Sequence, residues 1–321
     1  VLRIYFTPED LTRTRISAAQ PMWEILLSLY RLRQRKGAPV HEEWRRSVVT
    51  KTPVTTRLLT DLVPQSGYAV DFLTPMTNQL SLADGLEAIR STPKRRLRKD
   101  LAILAGGRQL PSWTTSLADG RKESVVQLAD AVDRYFASCL APYWDRISGR
   151  INQERATQAK LMADGGFERL VQALHPTARW HYPVLEMGYP VEHELHLGGR
   201  GLQLVPSFFC QGLPTTFLDG DFEPVLVYPI QHRPGWSAVD GSRGSLASLL
   251  GRTRAKVLEA IGESPCTTSE VARRTDTTLS TASQQASMLR AAGLVTSRQN
   301  GQSMLHTVTS LGLALMAGSF S

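Results

Sequence analysis

Only three cysteines occur in 321 residues, Cys139, Cys210 and Cys266, and none shares a C-x-x-C spacing. So small and scattered a set excludes a disulfide framework and a paired-cysteine metal knuckle, and favours a reducing compartment. A cytoplasmic protein is therefore expected. No apolar run reaches the roughly 18 to 20 residues of a membrane span. Val1-Leu2-Arg3-Ile4 opens a strand-like segment where a signal peptide would need an apolar core, so no membrane partner is expected. G-x-S-x-G and H-E-x-x-H are both absent. Gly198-Gly199-Arg200-Gly201 has neither the glycine spacing nor the Gly-Lys-Ser/Thr of a phosphate loop, and reads as a hairpin turn. An enzyme reading then rests only on a large region without a motif, so no catalytic residue, cofactor or metal is assigned. Lysine is scarce too, seven against thirty arginines. That bias reflects a G+C-rich coding sequence more than a chemical demand.

What is present is an ordinary globular composition, 42% hydrophobic and 21% charged, in a chain long enough for two domains. The formal charge of +8 suits a polyanionic partner. Arg243–Ser321 carries eight basic against four acidic residues, about half of that excess.

That segment also holds the most ordered run of local signals in the chain. Leu249, Leu250, Val257, Leu258 and Ile261 recur at helical spacing and predict one amphipathic helix from Leu246 to Ile261. Thr267 and Glu270 form a capping box that opens a short helix ending near Arg274. Thr275 to Thr278 are turn formers. Leu279 is then expected to plug the core, and Ser280 to cap a second helix running to about Ala291. Helix, tight turn, helix is the arrangement that enters a DNA groove. On the second helix Ala282, Ala286 and Leu289 share one face, and Ser280, Gln284 and Ser287, flanked by Thr281 and Ser283, share the other. Glutamine pairs bidentately with adenine, and short hydroxyls allow close approach to base edges. Arg273, Arg274 and Arg290 are candidate phosphate contacts. Gly293 ends the helix, after which Leu294–Gln299 and Gln302–Val308 read as two strands joined at Asn300-Gly301. This hairpin would be a wing, offering Arg298, Gln299, Asn300 and Gln302 to the DNA backbone or minor groove. Any one of these signals alone would fit a helical packing module with a solvated face; five in sequence favour the DNA reading.

The stretches LLGRTRAKVLEAI, TTSEVARRT, LSTASQQASMLRAAGLVTSRQNGQ and HTVTSLG, between Leu249 and Thr309, resemble the winged-helix domain of ArsR-type bacterial transcriptional repressors. The resemblance covers about the last quarter of the chain and implies DNA binding and a repressor role. A homodimer is expected from the long helical stretch Glu123–Leu174, which either spans its domain or packs against a second subunit. Metal-sensing members carry paired cysteines on the first motif helix or acidic and histidine ligands on the terminal helix. Here those positions hold Glu270-Val271-Ala272-Arg273 and Ser310-Leu311-Gly312-Leu313, so neither metal site is expected.

Before this domain, Leu2–Thr7 reads as a strand, Pro8-Glu9-Asp10 and Pro21-Met22-Trp23-Glu24 open helices, and Tyr68–Leu73 reads as a strand. Trp23, Leu26, Leu27 and Tyr30 are expected in the core. Arg90–Lys99 holds six basic residues in ten, on a helix whose exposed face explains them without DNA. Glu123–Leu174 is helical, interrupted at Gly165-Gly166. Arg179–Leu185, Pro190–Leu197, Leu202–Phe209 and Pro224–Ile230 predict an antiparallel sheet. Glu192, Glu194 and His196, with Cys210, Asp219 or Asp221, are a conceivable metal set, but an exposed polar strand face explains them equally. Trp180, Tyr182, Tyr189, Phe208, Phe209 and Tyr228 offer enough aromatic surface to line a pocket. Arg233–Gly244 reads as a hinge.

The expected fold class is α+β: a mixed helix and antiparallel-sheet domain over 1–240, for regulation or dimerisation, and a winged helix-turn-helix over 241–321. The expected function is that of a dimeric repressor that binds a pseudo-palindromic duplex and answers to a small organic effector. The alternatives are a constitutive DNA binder, and an enzyme whose winged helix contacts only protein.

Overall fold

Alternation in the first strand sets the frame of the N-terminal unit. In β1 (Leu2–Tyr5) Leu2 and Ile4 are buried while Arg3 and Tyr5 are half-exposed, as a pleat with one covered face requires. The computed structural model describes all residues except 35–38, 76–80, 107–108, 221, 232–235, 237–245, 248, 264, 301–302 and 317–321. It divides into two units, Val1–Ser237 and Ala238–Ser321. Of the expected hinge only Trp236 is described; Asp221 and Gln302 also lie outside the described residues.

In the first unit, Thr7 and Asp10 form a capping box that opens α1 (Pro8–Arg13). The buried Asp10 carboxylate also accepts the Gly201 N–H at 2.7 Å, tying α1 to the turn at 198–201. After β2 (Arg15–Ile16) comes α2 (Pro21–Arg33), buried at every position from Pro21 to Leu29. A helix covered all round belongs inside the molecule. It is surrounded by α3 (Glu42–Val49), α4 (Thr56–Leu62), α5 (Leu82–Arg90), α6 (Lys94–Ala105), α7 (Trp113–Ala118) and α8 (Lys122–Tyr135), whose apolar residues share its core. The chain then tightens through a π-helical turn, Phe136–Leu140, and a 3-10 turn, Ala141–Tyr143, into α9 (Trp144–Ala173), which breaks at Gly165-Gly166.

Five strands follow: β3 (Arg179–His181), β4 (Val184–Met187), β5 (His193–His196), β6 (Gln203–Ser207) and β7 (Val225–Pro229). They form a four-stranded sheet in the order β3-β4-β1-β5 and a three-stranded sheet in the order β2-β6-β7. With 57% helix and 14% strand the fold class is α+β. The strand pairing corrects the antiparallel expectation: β3-β4 and β4-β1 are antiparallel, whereas β1-β5, β2-β6 and β6-β7 are parallel. The three-stranded sheet is covered on both faces. Leu204, Leu226 and Tyr228 join the core of the four-stranded sheet, and Val205, Val225 and Val227 join the helical core. Burial on both faces removes the polar alternation that would mark a one-sided sheet.

Two more local expectations change. Tyr68–Leu73 is not a strand, since Asp71–Leu73 forms a 3-10 turn. The Asp100 carboxylate takes the Phe72 N–H at 2.9 Å, capturing a donor that a ladder would have used. Gly198–Gly201 is not a hairpin turn, because β5 and β6 lie in different sheets. Gly198, Gly199 and Gly201 all take positive φ, and Arg200 is held by the carbonyls of His196, Leu197, Gly220 and Phe222.

Candidate nucleic-acid interface

The second unit begins its motif on α10 (Arg252–Glu263), which buries Ala255, Val257, Leu258 and Ile261. The expected single helix from Leu246 is interrupted at Gly251, whose φ of 85° no helical residue adopts, and Leu249 is left 65% exposed. Short β8 (Cys266–Thr267) leads to α11 (Thr268–Thr275). Its capping box is formed as expected: Thr267 Oγ1 accepts the Glu270 N–H at 3.3 Å, and the Glu270 carboxylate accepts the Thr267 N–H at 2.9 Å. The hydrogen bond from the Thr267 backbone holds the Glu270 carboxyl below the ordinary glutamate range. Asp276 closes α11 in the left-handed conformation, donating its N–H to Ala272 O.

The next helix, α12 (Leu279–Ala291), is capped by Thr278, whose Oγ1 accepts the Thr281 N–H at 3.2 Å. The cap therefore lies two residues before the expected Ser280. Leu279, expected in the core, is 56% exposed. Its azimuth is near that of buried Ala286, but it lies two turns away at the end of the helix, where it faces solvent. Ala282, Ala286 and Leu289 are buried, while Ser280, Ser283, Gln284 and Ser287 are exposed and Thr281 is half-buried. Gln285 is engaged within the domain, since Arg254 Nε donates to its Oε1 at 3.1 Å. Gln284, one residue away, is on the outward face.

Past Gly293, β9 (Val295–Asn300) and β10 (Ser303–Val308) pair antiparallel from Val295↔Val308 to Asn300↔Ser303. Asn300 is therefore the last residue of β9, paired with Ser303, instead of part of a turn; residues 301–302 lie outside the described residues. β8 joins the other edge of β10, and α13 (Ser310–Met316) packs on α10. Arg273, Arg290, Arg298 and Gln299 are exposed. Arg274 is exposed too, but its Nη1 donates to Ala260 O at 3.2 Å, on the domain's own framework.

Sequence reading missed His306. It is 4% exposed on β10, with Nδ1 2.8 Å from Ser297 Oγ on β9 and Nε2 3.0 Å from Thr268 Oγ1 on α11. One ring thus ties the wing to the first motif helix. Burial first, and the Arg290 charge second, lower its pKa. The signal was the register of the hairpin, which sets His306 opposite Ser297.

The other candidates of the sequence separate. The basic run on α6 is matched by acids: Lys94 and Arg98 pair with Asp119, and Arg96 and Lys99 pair with Asp219. Glu192 pairs with Arg3, and Glu194 accepts from the Tyr5 hydroxyl at 3.2 Å while His196 stacks on the Tyr5 ring. Among the described residues no group of three or more His, Cys, Asp or Glu side chains is placed to hold a metal. The six aromatics do not line one pocket: Phe208 and Phe209 are in the helical core, Tyr228 is in the sheet core and Tyr182 is exposed.

A capped helix, a tight turn, a second helix with a polar outward face and a β-hairpin together define a winged helix-turn-helix domain. Residues 249–298 match the family model of a helix-turn-helix domain. No curated protein and no solved structure matches the chain. Among the described residues, no helix is long and apolar enough to cross a membrane.

Proposed function

We propose that the protein is a cytoplasmic, sequence-specific transcriptional regulator of the ArsR type that acts as a dimeric repressor. Residues 1–240 form the regulatory domain and 241–321 the DNA-binding domain. The observation that carries this reading is the outward face of α12, where Ser280, Ser283, Gln284 and Ser287 are exposed while the adjacent Gln285 is held by Arg254. On this reading α12 enters the major groove, with Gln284 on a base edge and Ser280, Thr281, Ser283 and Ser287 close to the bases. Arg273 and Arg290 neutralise phosphates, and Arg298, Gln299, Asn300 and Gln302 of the wing follow the backbone or minor groove. Arg274, already hydrogen-bonded to the domain, contributes less than its neighbours.

A second copy supplies the matching half-site contacts. Leu249, Leu311 and Leu313, all at least half exposed on the second unit, offer apolar surface for that association. The signal is a small organic molecule bound in the first domain, since the positions where metal-sensing relatives carry ligands hold none here and the first domain exceeds what dimerisation requires. The test is selection of duplexes from a random pool with the full chain, alongside sedimentation at micromolar concentration. A pseudo-palindromic site bound by a dimer is the expected result; enrichment of no sequence, or a monomer on DNA, overturns the reading.

A further inference from the structure

An open-mouthed surface cavity of about 480 Å³ lies in the first unit, more open to solvent than enclosed and lined among others by Ser81, Leu82, Phe136, Trp144, Ser148 and Asn152. That volume is within the range of about 300–1,000 Å³ that holds small organic ligands. Its chemistry is distinctive. The described lining contains no ionisable side chain; it has two aromatic rings, the Ser81 hydroxyl, already engaged by Asp84, and, on α9, a hydroxyl and an amide. Phe136 and Trp144 meet edge to face at 5.2 Å, so a flat ring entering the cavity meets aromatic surface that already favours such packing. Ser148 and Asn152, one helical turn apart on α9, can donate to or accept from a polar substituent.

The backbone beside the cavity is irregular in a way that bears on this. α8 ends in the π-helical turn Phe136–Leu140, which precedes the 3-10 turn that delivers Trp144. Single π-turns are rare and recur at functional sites, because the extra residue leaves a carbonyl free and re-aims the side chains around it. Here the Cys139 carbonyl is taken by the Trp44 indole N–H at 2.9 Å, which secures the turn from below. Phe136 at its start is left half-buried at the cavity.

We infer that this cavity is the effector site of the regulator and takes an uncharged, flat, largely aromatic organic molecule with one polar substituent. The inference rests on the reading of the chain as a ligand-responsive regulator and adds to it a location and a ligand class. It also supplies a route outward. Arg146 and Arg150 lie on α9 at about 200° from Ser148 and Asn152. Arg150 Nε donates to Gln231 O at 3.0 Å and Arg146 Nη1 to Trp236 O at 3.1 Å. Those carbonyls belong to the chain just before Ala238, where the second unit begins. A ligand pressing on one face of α9 therefore bears on the helix whose other face holds the Gln231 and Trp236 carbonyls. It shifts DNA binding to the extent that it prefers one position of that helix.

The test uses N-phenyl-1-naphthylamine, an uncharged aromatic fluorophore, titrated into the full chain, with Ser148→Phe, Asn152→Phe and the exposed control Lys160→Phe. Thermal melting of each variant establishes folding. Saturable one-to-one binding is expected for the unmodified chain and the control, weakened roughly tenfold or more by each cavity-filling change. Asn152 is on the exposed rim, so its variant carries the test if Ser148→Phe does not fold. Absence of saturable binding, or binding unaltered by both folded variants, overturns the inference. DNA binding is measured on the same preparations. Loss of the probe site with DNA binding intact removes only the cavity, whereas probe binding without any DNA binding removes the regulator reading and the effector role with it.

Discussion

Replacing His306 with alanine should loosen the wing from the helix-turn-helix more than any other single change on β10. The ring makes two hydrogen bonds, to Ser297 at 2.8 Å and to Thr268 at 3.0 Å, and is 4% exposed. Each bond contributes about 1 kcal/mol net, and the vacated volume adds about 1 to 2 kcal/mol. The expected loss is therefore about 3 to 4 kcal/mol. For a domain of 60–100 residues that corresponds to a fall in Tm of more than about 10 °C. Differential scanning calorimetry of the full chain follows the transition, and hydrogen exchange over 295–308 assigns it. The lowered pKa of His306 gives the reasoning a second arm. A histidine whose folded pKa is depressed contributes stability that is present above its ordinary pKa of about 6.5 and is lost as pH falls toward the folded value. The second unit should thus lose stability on acidification below about pH 6.5, and the alanine variant should lose that part of the dependence. A shift of less than about 3 °C, or the same acid response in both proteins, would show that the bridge does not carry the wing.

The first unit should respond to pH in the opposite sense. Glu24 is buried, accepts the N–H groups of Phe208 and Phe209, and has its pKa pushed up to about 7, mainly by burial. A carboxyl raised in the folded state contributes stability that is present below its unfolded pKa and is lost as pH rises through the folded one, about 3 kcal/mol in all. Asp71, raised to about 7 by burial and by Asp100, adds to the same trend. Urea midpoints of the first transition between pH 5 and 8 should fall with pH and fall less steeply in Glu24→Gln; equal slopes would refute the assignment. Thr267→Ala removes the capping box of α11 and should cost about 1 kcal/mol, with Thr267→Ser restoring most of it. Denaturant unfolding of the second unit reads both, and an alanine variant as stable as the parent would place the cap outside the energetics.

The DNA-binding unit was largely legible because its signals are local. Thr267 with Glu270, the turn from Thr275 to Thr278, the apolar face of Ala282, Ala286 and Leu289, and the strands around 301–302 each depend on residues only a few positions apart. The errors there are local as well. Thr278 and Ser280 are both competent caps; a cap at Ser280 goes with a buried Leu279, whereas the cap at Thr278 leaves Leu279 exposed. Gly251 does not show in the pattern, because Leu249 and Leu250 before it and Val257 and Leu258 after it keep the helical period. The first unit was harder to read. Parallel pairing of β1 with β5 and of β6 with β7 joins residues that no local pattern connects, and Val225–Pro229, buried on both faces, shows no alternation to betray its partners. The aromatic count pointed to a pocket among Trp180, Tyr182, Tyr189, Phe208, Phe209 and Tyr228. The described cavity instead depends on Phe136 and Trp144, which a π-helical turn brings together.

The central claim is that α12 reads bases while the wing holds the backbone, and the salt dependence of DNA affinity tests it most directly. Binding of the full chain to its selected duplex and to a random duplex is measured from low to high salt for the unmodified chain, Gln284→Ala and Arg298→Ala. The account predicts an affinity that falls linearly with the logarithm of salt. Gln284→Ala should leave the slope intact and lose about 1 to 3 kcal/mol on the selected duplex alone. Arg298→Ala should weaken both duplexes alike and reduce the slope by about one. Equal losses on both duplexes from both substitutions, or an affinity indifferent to salt, would contradict it.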